Sequence, residues 1–135
     1  MKIDIFTDSS VFIEFFKKNE KAVSIFEYLL ENVDKFRINI NSLVWSEVVY
    51  QLVIKRKFPK NEVINVLEGF RLLEINNSVV NIANELIGEL YPNDALNFAT
   101  SYYFGIRYFI TLDSDYISND EIKVINNVLN FKEII

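Results

Sequence analysis

Short apolar runs alternate with stretches of helical period along the whole chain, and this alternation restricts the fold more than any other feature of the sequence. Lys2 to Thr7 alternates apolar and polar residues and stops at Asp8 and Ser9, as a strand handing over to a helix does. Val11, Phe12, Phe15 and Phe16 then keep the helical period, with Ser9 or Ser10 as the cap. A second helix is predicted from about Glu20 to Val33, with Ala22, Ile25, Phe26, Leu29 and Leu30 on one face. Lys35 to Asn39 reads as a strand, and Asn41 or Ser42 caps a third helix that runs to about Lys57. Pro59 ends it, and Lys60 to Gly69 gives another short helix. Phe70 to Ile75 reads as a third strand, followed by a helix from about Val79 to Leu90. Pro92 opens the next helix, which continues to a stop at Phe104-Gly105. Arg107 to Leu112 and Ile122 to Ile125 are the last two strands. Strands alternating with helices across short connections predict an α/β fold whose parallel sheet is covered by helices on both faces.

At 135 residues with 50% hydrophobic content the chain is long enough to bury one core and too short for two ordinary ones, so 1–135 reads as a single domain. It contains no repeat and no low-complexity linker. The absence of cysteine excludes disulfides, zinc-thiolate sites and thiol catalysis. The absence of histidine removes the usual general base near neutral pH and every His-based metal site. Carboxylate, hydroxyl, amide and Lys/Arg groups remain. Oxygen-only ligands favour Mg²⁺ or Mn²⁺, with Ca²⁺ a further fit. The opening MKIDIFTDSS has no secretory-signal pattern, and no twenty-residue apolar span follows, so a soluble, cytoplasmic protein without membrane contact is expected.

Within this frame, several acids stand where folding alone gives them little reason to be. Asp8 and Asp113 close apolar runs, Glu47 lies in the apolar stripe of a helix, and Asp94 opens another helix that is apolar on most sides. An unpartnered buried carboxylate costs several kcal/mol, and acids gathered at one core edge repel one another, so a cation should join them. In open parallel α/β sheets ligands gather beyond the carboxyl ends of strands. Asp8 and Asp113 both lie just past such ends and can converge.

Each acid also has an ordinary alternative. Asp8 suits a helix N-cap, worth about 1 kcal/mol. Asp94 follows Pro92-Asn93 and suits the positive end of a helix macrodipole. Glu47 is harder to explain structurally, because Leu43, Val44, Val48 and Leu52 surround it at helical spacing and the nearest bases, Lys55 to Lys57, are two turns on. Asp113 and Asp115 fit a polar turn. The Asp-x-Asp pattern they make is also that of haloacid-dehalogenase-type phosphatases, but it belongs near the start of such a domain, and only twenty residues follow Asp115 here. Thr111 is either an ordinary β-branched strand residue or, sharing a face with Asp113, a group that orients a metal-bound water. The basic stretches Lys55-Arg56-Lys57 with Lys60, and Lys17-Lys18 with Lys21, depart from the net charge of −5. They read as solvated faces, or as phosphate-backbone contacts if they flank the acidic cleft.

Taken in order, Phe6-Thr7-Asp8-Ser9-Ser10-Val11, Ser46-Glu47-Val48, Pro92-Asn93-Asp94-Ala95 with Ala99-Thr100, and Gly105-Ile106 with Ile110-Thr111-Leu112-Asp113 resemble the PIN domain family. The resemblance covers the whole chain and is to the small single-domain members, the VapC-like toxins of toxin–antitoxin pairs. It implies a three-layer α/β/α sandwich and a Mg²⁺- or Mn²⁺-dependent endoribonuclease, commonly a homodimer inhibited by an antitoxin protein. It assigns the metal-site carboxylates to Asp8, Glu47, Asp94 and Asp113, with Thr111 and Ser9 in support, and Asp115 shares or replaces part of Asp113's role. Metal-assisted phosphodiester hydrolysis of RNA needs no histidine, so the chemistry and the composition agree.

Two other classes remain open at the level of sequence. A PIN-like module of weak activity would act by binding partners through its aromatic surface. A receiver-like phosphoacceptor domain also clusters acids at strand ends, but it leaves Glu47 unexplained.

Overall fold

The computed structural model describes residues 1–134. Strands β1 (Ile3–Thr7), β2 (Phe36–Asn41), β3 (Arg71–Leu73), β4 (Tyr108–Ile110) and β5 (Lys123–Ile125) form one sheet in the order β3-β2-β1-β4-β5. Every neighbouring pair is parallel, with Ile5 opposite Ile38 on one side and opposite Tyr108 on the other. The helices are α1 (Ser9–Phe16), α2 (Glu20–Glu31), α3 (Ser42–Val49), α4 (Lys60–Glu68), α5 (Asn77–Leu86), α6 (Pro92–Tyr103) and α7 (Val128–Lys132), and a π-helical segment, Tyr50–Lys55, continues α3. Among the described residues no helix is long and apolar enough to cross a membrane.

Strand alternation sorts the core into two faces. Phe36 of β2 packs against Tyr28 of α2 and Phe131 of α7, with ring centroids 6.2 and 5.7 Å away. On the opposite face Phe6 of β1 stacks on Phe109 of β4 at 5.2 Å, and Phe98 of α6 meets Phe109 edge-on at 4.9 Å. Such pairs add about 0.5–1.5 kcal/mol each beyond their buried area. Helix α5 lies against α6 through Val79, Ala83, Ala95 and Ala99, whose small side chains let the two helices approach closely. The result is the expected α/β/α sandwich.

The chain builds the sheet outward from β1, first to β2 and β3, then back to β4 and β5 on the other side. The order therefore reverses between β1 and β4, and a cleft opens beyond their carboxyl ends. Asp8 N–H donates to the Ile110 carbonyl at 3.1 Å, which ties the two strand exits together.

Several boundaries differ from the sequence expectation. Strand β2 runs on to Asn41, because that residue pairs with Leu73 before its side chain caps α3. Strands β3 and β4 are shorter than predicted, since each ends where its neighbour in the register ends. Helix α5 stops at Leu86 and not at Leu90, because Gly88 takes φ 103 and Ile87 already leaves the helical region. The third helix reaches Lys55, but its last turns are π-helical. Helix α7 has no counterpart in the sequence reading, although Asn127 caps it in the usual way by accepting from Asn130 N–H.

Candidate metal centre

Asp8 occupies the N-cap of α1, immediately after β1, and is 3% exposed. Its Oδ1 accepts from Ser10 N–H at 3.2 Å and Ser10 Oγ at 2.6 Å, and its Oδ2 accepts from Thr111 Oγ1 at 2.8 Å. The cap reading and a place at the strand edge are thus the same position. Burial pushes the Asp8 carboxyl up to about 7, the hydroxyl donors oppose that rise, and the charge of Asp113 adds to it.

Thr111 lies just beyond β4 and is fully buried. Its hydroxyl donates to the Asp8 carboxylate and accepts from Asp113 N–H at 2.9 Å. Ser9 makes no side-chain hydrogen bond among the described residues. Ser10 takes the supporting contacts, because it also accepts from Leu112 N–H at 3.0 Å. One hydroxyl thus joins the exits of β1 and β4. In the turn that follows, Asp115 N–H donates to Asp113 Oδ1 at 2.9 Å.

Asp94 sits in the first turn of α6. Its Oδ1 accepts from the Tyr116 hydroxyl at 2.9 Å. Tyr116, 4% exposed, is held in turn by Asn97 Nδ2 at 3.3 Å, and Asn97 Oδ1 accepts from Asn41 Nδ2 at 3.1 Å, which also donates to Thr100 at 2.9 Å. This buried polar chain runs from the end of β2, through α6, to Asp94. Tyr116, Asn97 and Asn41 were not singled out from sequence. The spacing of Asp94, Asn97 and Thr100, three residues apart on one helix flank, was the available signal.

Glu47 projects from the middle of α3. It is partly buried, and its Oε1 has no hydrogen-bond partner. Burial raises its carboxyl above the usual range, and Asp94 raises it further. Asp94 is itself raised, first by burial and then by Asp113 and Asp115. All five acids named from sequence therefore belong to one electrostatic neighbourhood. They do not converge equally. A carboxylate oxygen from each of Asp94, Asp113 and Asp115 lies within 4.8 Å of the others, whereas Asp8 and Glu47 stand outside that group.

This donor set fits a hard divalent cation. Among the described residues no Lys or Arg forms an ion pair with any of the five acids, so no cationic side chain there offsets their mutual repulsion. The orphaned Glu47 oxygen is an acceptor of the kind a cation would satisfy, and every available ligand is oxygen.

Comparison with known proteins bears on the family and the fold. A family model described as PIN domain matches residues 5–122. Ribonuclease VapC6 of Methanocaldococcus jannaschii is 28% identical, over 90% of this chain and 96% of its own length. Among solved structures, a toxin–antitoxin complex from Klebsiella pneumoniae superposes with a TM-score of 0.73 at 18% identity, covering 90% of this chain and 95% of the other. VapBC2 from Rickettsia felis, bound to a DNA fragment from its promoter, does so with 0.70 at 16% identity, covering 93% and 99%. At those identities the two structures speak for the fold alone. From the family match over nearly its whole length, and the acids gathered at the β1–β4 switch, the chain belongs to the PIN domain family.

Proposed function

We propose that the protein is a Mg²⁺- or Mn²⁺-dependent endoribonuclease that hydrolyses RNA phosphodiester bonds and serves as the toxin of a toxin–antitoxin pair. The observation that carries this reading is the approach of Asp94, Asp113 and Asp115 oxygens to within 4.8 Å, with no Lys or Arg among the described residues paired to them. Asp94, Asp113 and Asp115 would hold the metal, with Asp8 and Glu47 completing the acidic wall. A divalent ion held there would supply a lowered pKa for water and an offset to charge on a phosphate.

The chain's own groups supply positioning. Ser10 and Thr111 fix both oxygens of Asp8, and Tyr116 fixes Asp94 from the protein side. Because the supporting groups are at least partly buried and already hydrogen-bonded, the carboxylates need little reorganisation when charge arrives. The relative named as a ribonuclease and the toxin–antitoxin complex among the structural neighbours support the toxin assignment. We extend it to a homodimer and an antitoxin partner, for which the exposed Val80, Ile87, Tyr103 and Phe104 on and beside α5 and α6 supply apolar contact area. Acting on cellular RNA, the protein would work in the cytoplasm.

Incubation of purified protein with single-stranded RNA, with Mn²⁺ or with a chelator, tests the reading. Cleavage should require the metal and vanish in Asp94→Asn protein that still folds. Cleavage that persists in chelator, or in the folded variant, would move the chemistry elsewhere. Absence of cleavage together with retained partner binding would favour a binding module.

A further inference from the structure

The helix that carries Glu47 changes its winding immediately afterwards. From Tyr50 to Lys55 the backbone is π-helical, an arrangement that is rare and recurs at functional sites. Its consequence here is register. In an α-helix, residues five apart lie about 140° from each other around the axis, whereas the wider i→i+5 winding brings them onto neighbouring flanks. Lys55 Nζ accordingly lies 6.0 Å from the centre of the Tyr50 ring. Tyr50 in turn follows Glu47 by three residues, one turn on along the same flank. Glu47, Tyr50 and Lys55 thus succeed one another along one continuous helical stretch, with the ring and the ammonium beyond the carboxylate.

The far end of this helix is rich in exposed cations, with the exposed Ile54 beside them. Tyr50 is 52% exposed. Lys55, Arg56, Lys57 and Lys60 follow it, all exposed, with no acid among them, and none forms an ion pair among the described residues. Four cations within six positions depart sharply from a chain of net charge −5. Exposed rings beside cations suit single-stranded nucleic acid, because any base has a face to stack and every phosphate needs a counter-charge.

We infer that Tyr50 and Lys55–Lys57 form a docking track for single-stranded RNA beside the acidic centre, Tyr50 stacking a base and the basic residues meeting phosphates. The inference rests on the ribonuclease reading for the identity of the strand, but it concerns binding and not chemistry.

Binding of a fluorescently labelled RNA oligonucleotide, followed by anisotropy in chelator, separates the two. Tyr50→Ala should weaken binding roughly ten-fold and Tyr50→Phe should restore it. Lys55→Gln should reduce the dependence of log affinity on log salt by somewhat under one unit. In manganese the Tyr50→Ala loss should fall in KM. Undiminished RNA binding by Tyr50→Ala would overturn the track while leaving the nuclease reading intact. RNA binding that depends on Tyr50 in a protein that never cleaves would uphold the track and sink the nuclease. If Tyr50→Ala changes the oligomeric state and leaves RNA binding unchanged, the face is a protein interface and the inference is wrong.

Discussion

The Thr111 hydroxyl donates to Asp8 Oδ2 at 2.8 Å, joining residues 103 positions apart at the exits of two adjacent strands. Both groups are buried, so this bond is both a structural tie and the means by which Asp8 is aimed. Thr111→Val keeps the shape and removes the donor, leaving a buried carboxylate under-satisfied at a cost of about 1–3 kcal/mol. It should lower the melting temperature and metal-dependent RNA cleavage together, while Thr111→Ser should keep most of both. Full activity in folded Thr111→Val would show that Asp8 does not need aiming.

The raised Asp8 carboxyl gives the metal-free protein a distinct pH dependence. In the folded state Asp8 keeps its proton to about pH 7, whereas the unfolded chain releases it near 3.8. Between these values the folded form binds more protons, so this contribution to stability is present at the acid end and is lost as pH rises through the window. The full shift corresponds to about 4 kcal/mol. Glu47 and Asp94 are raised also, chiefly by burial, and act in the same direction. In chelator, the melting temperature of the wild type relative to Asp8→Asn should therefore fall between about pH 4 and pH 7. Mg²⁺ or Mn²⁺ at millimolar concentration should close the gap at the upper end. A gap that stays constant with pH would contradict the shift, and one indifferent to metal would count against the cation.

Tyr116 tests the second support of the centre. Its ring packs between Phe98 and Phe109, with centroids 5.5 and 4.6 Å away, so Tyr116→Phe preserves the packing and deletes only the hydroxyl. Asp94 then loses its 2.9 Å donor, and Asn97 Nδ2 loses an acceptor. Stability should drop by about 1 kcal/mol, and apparent metal affinity by roughly ten-fold or more, as is usual when a ligand loses its outer hydrogen bond. Titration calorimetry with Mn²⁺ measures the second effect. An unchanged affinity would place Asp94 outside the set of ligands.

The sequence made the strand–helix alternation and the acids legible for one reason: apolar periodicity predicts where backbone enters the core, and a charge that interrupts it stands out. Glu47 is the clearest case, and its buried, unpartnered oxygen is the structural form of that anomaly. Neutral polar residues give no such signal. Asn41, Asn97 and Tyr116 look like ordinary capping, helical and turn residues until tertiary contact makes a chain of them. The π-helical winding at Tyr50–Lys55 was equally hidden, because nothing in the apolar spacing of Val48 and Leu52 distinguishes it from α-helix. Thr111 was legible as a companion of the strand-end acids, but its bond to Asp8 across 103 positions was not, since strand alternation tells only which face a residue shares.

Two lysines offer a prediction independent of the centre. Lys18 and Lys57 have φ of 65° and 61°, in the left-handed region that costs a non-glycine residue about 1–2 kcal/mol. After α1, Asn19 N–H returns to the Glu14 carbonyl at 2.9 Å, closing the helix end around Lys18. After α6, Ile106 N–H returns to Ser101 in the same way around Gly105, whose φ is 67°. The two ends have one geometry and only one has the residue that suits it. Lys18 is exposed, and its side chain makes no hydrogen bond among the described residues, so Lys18→Gly gives up no such contact. The gain in the folded state exceeds the added freedom of the unfolded chain, and stability should rise by about 0.5–1 kcal/mol. The reverse change, Gly105→Lys, should lower it by a similar amount, because a Cβ at Gly105 meets nothing within 4 Å and only the backbone conformation resists it. Urea denaturation of both variants reads the difference directly; a destabilised Lys18→Gly would mean that the lysine side chain contributes more at this helix end than its backbone costs.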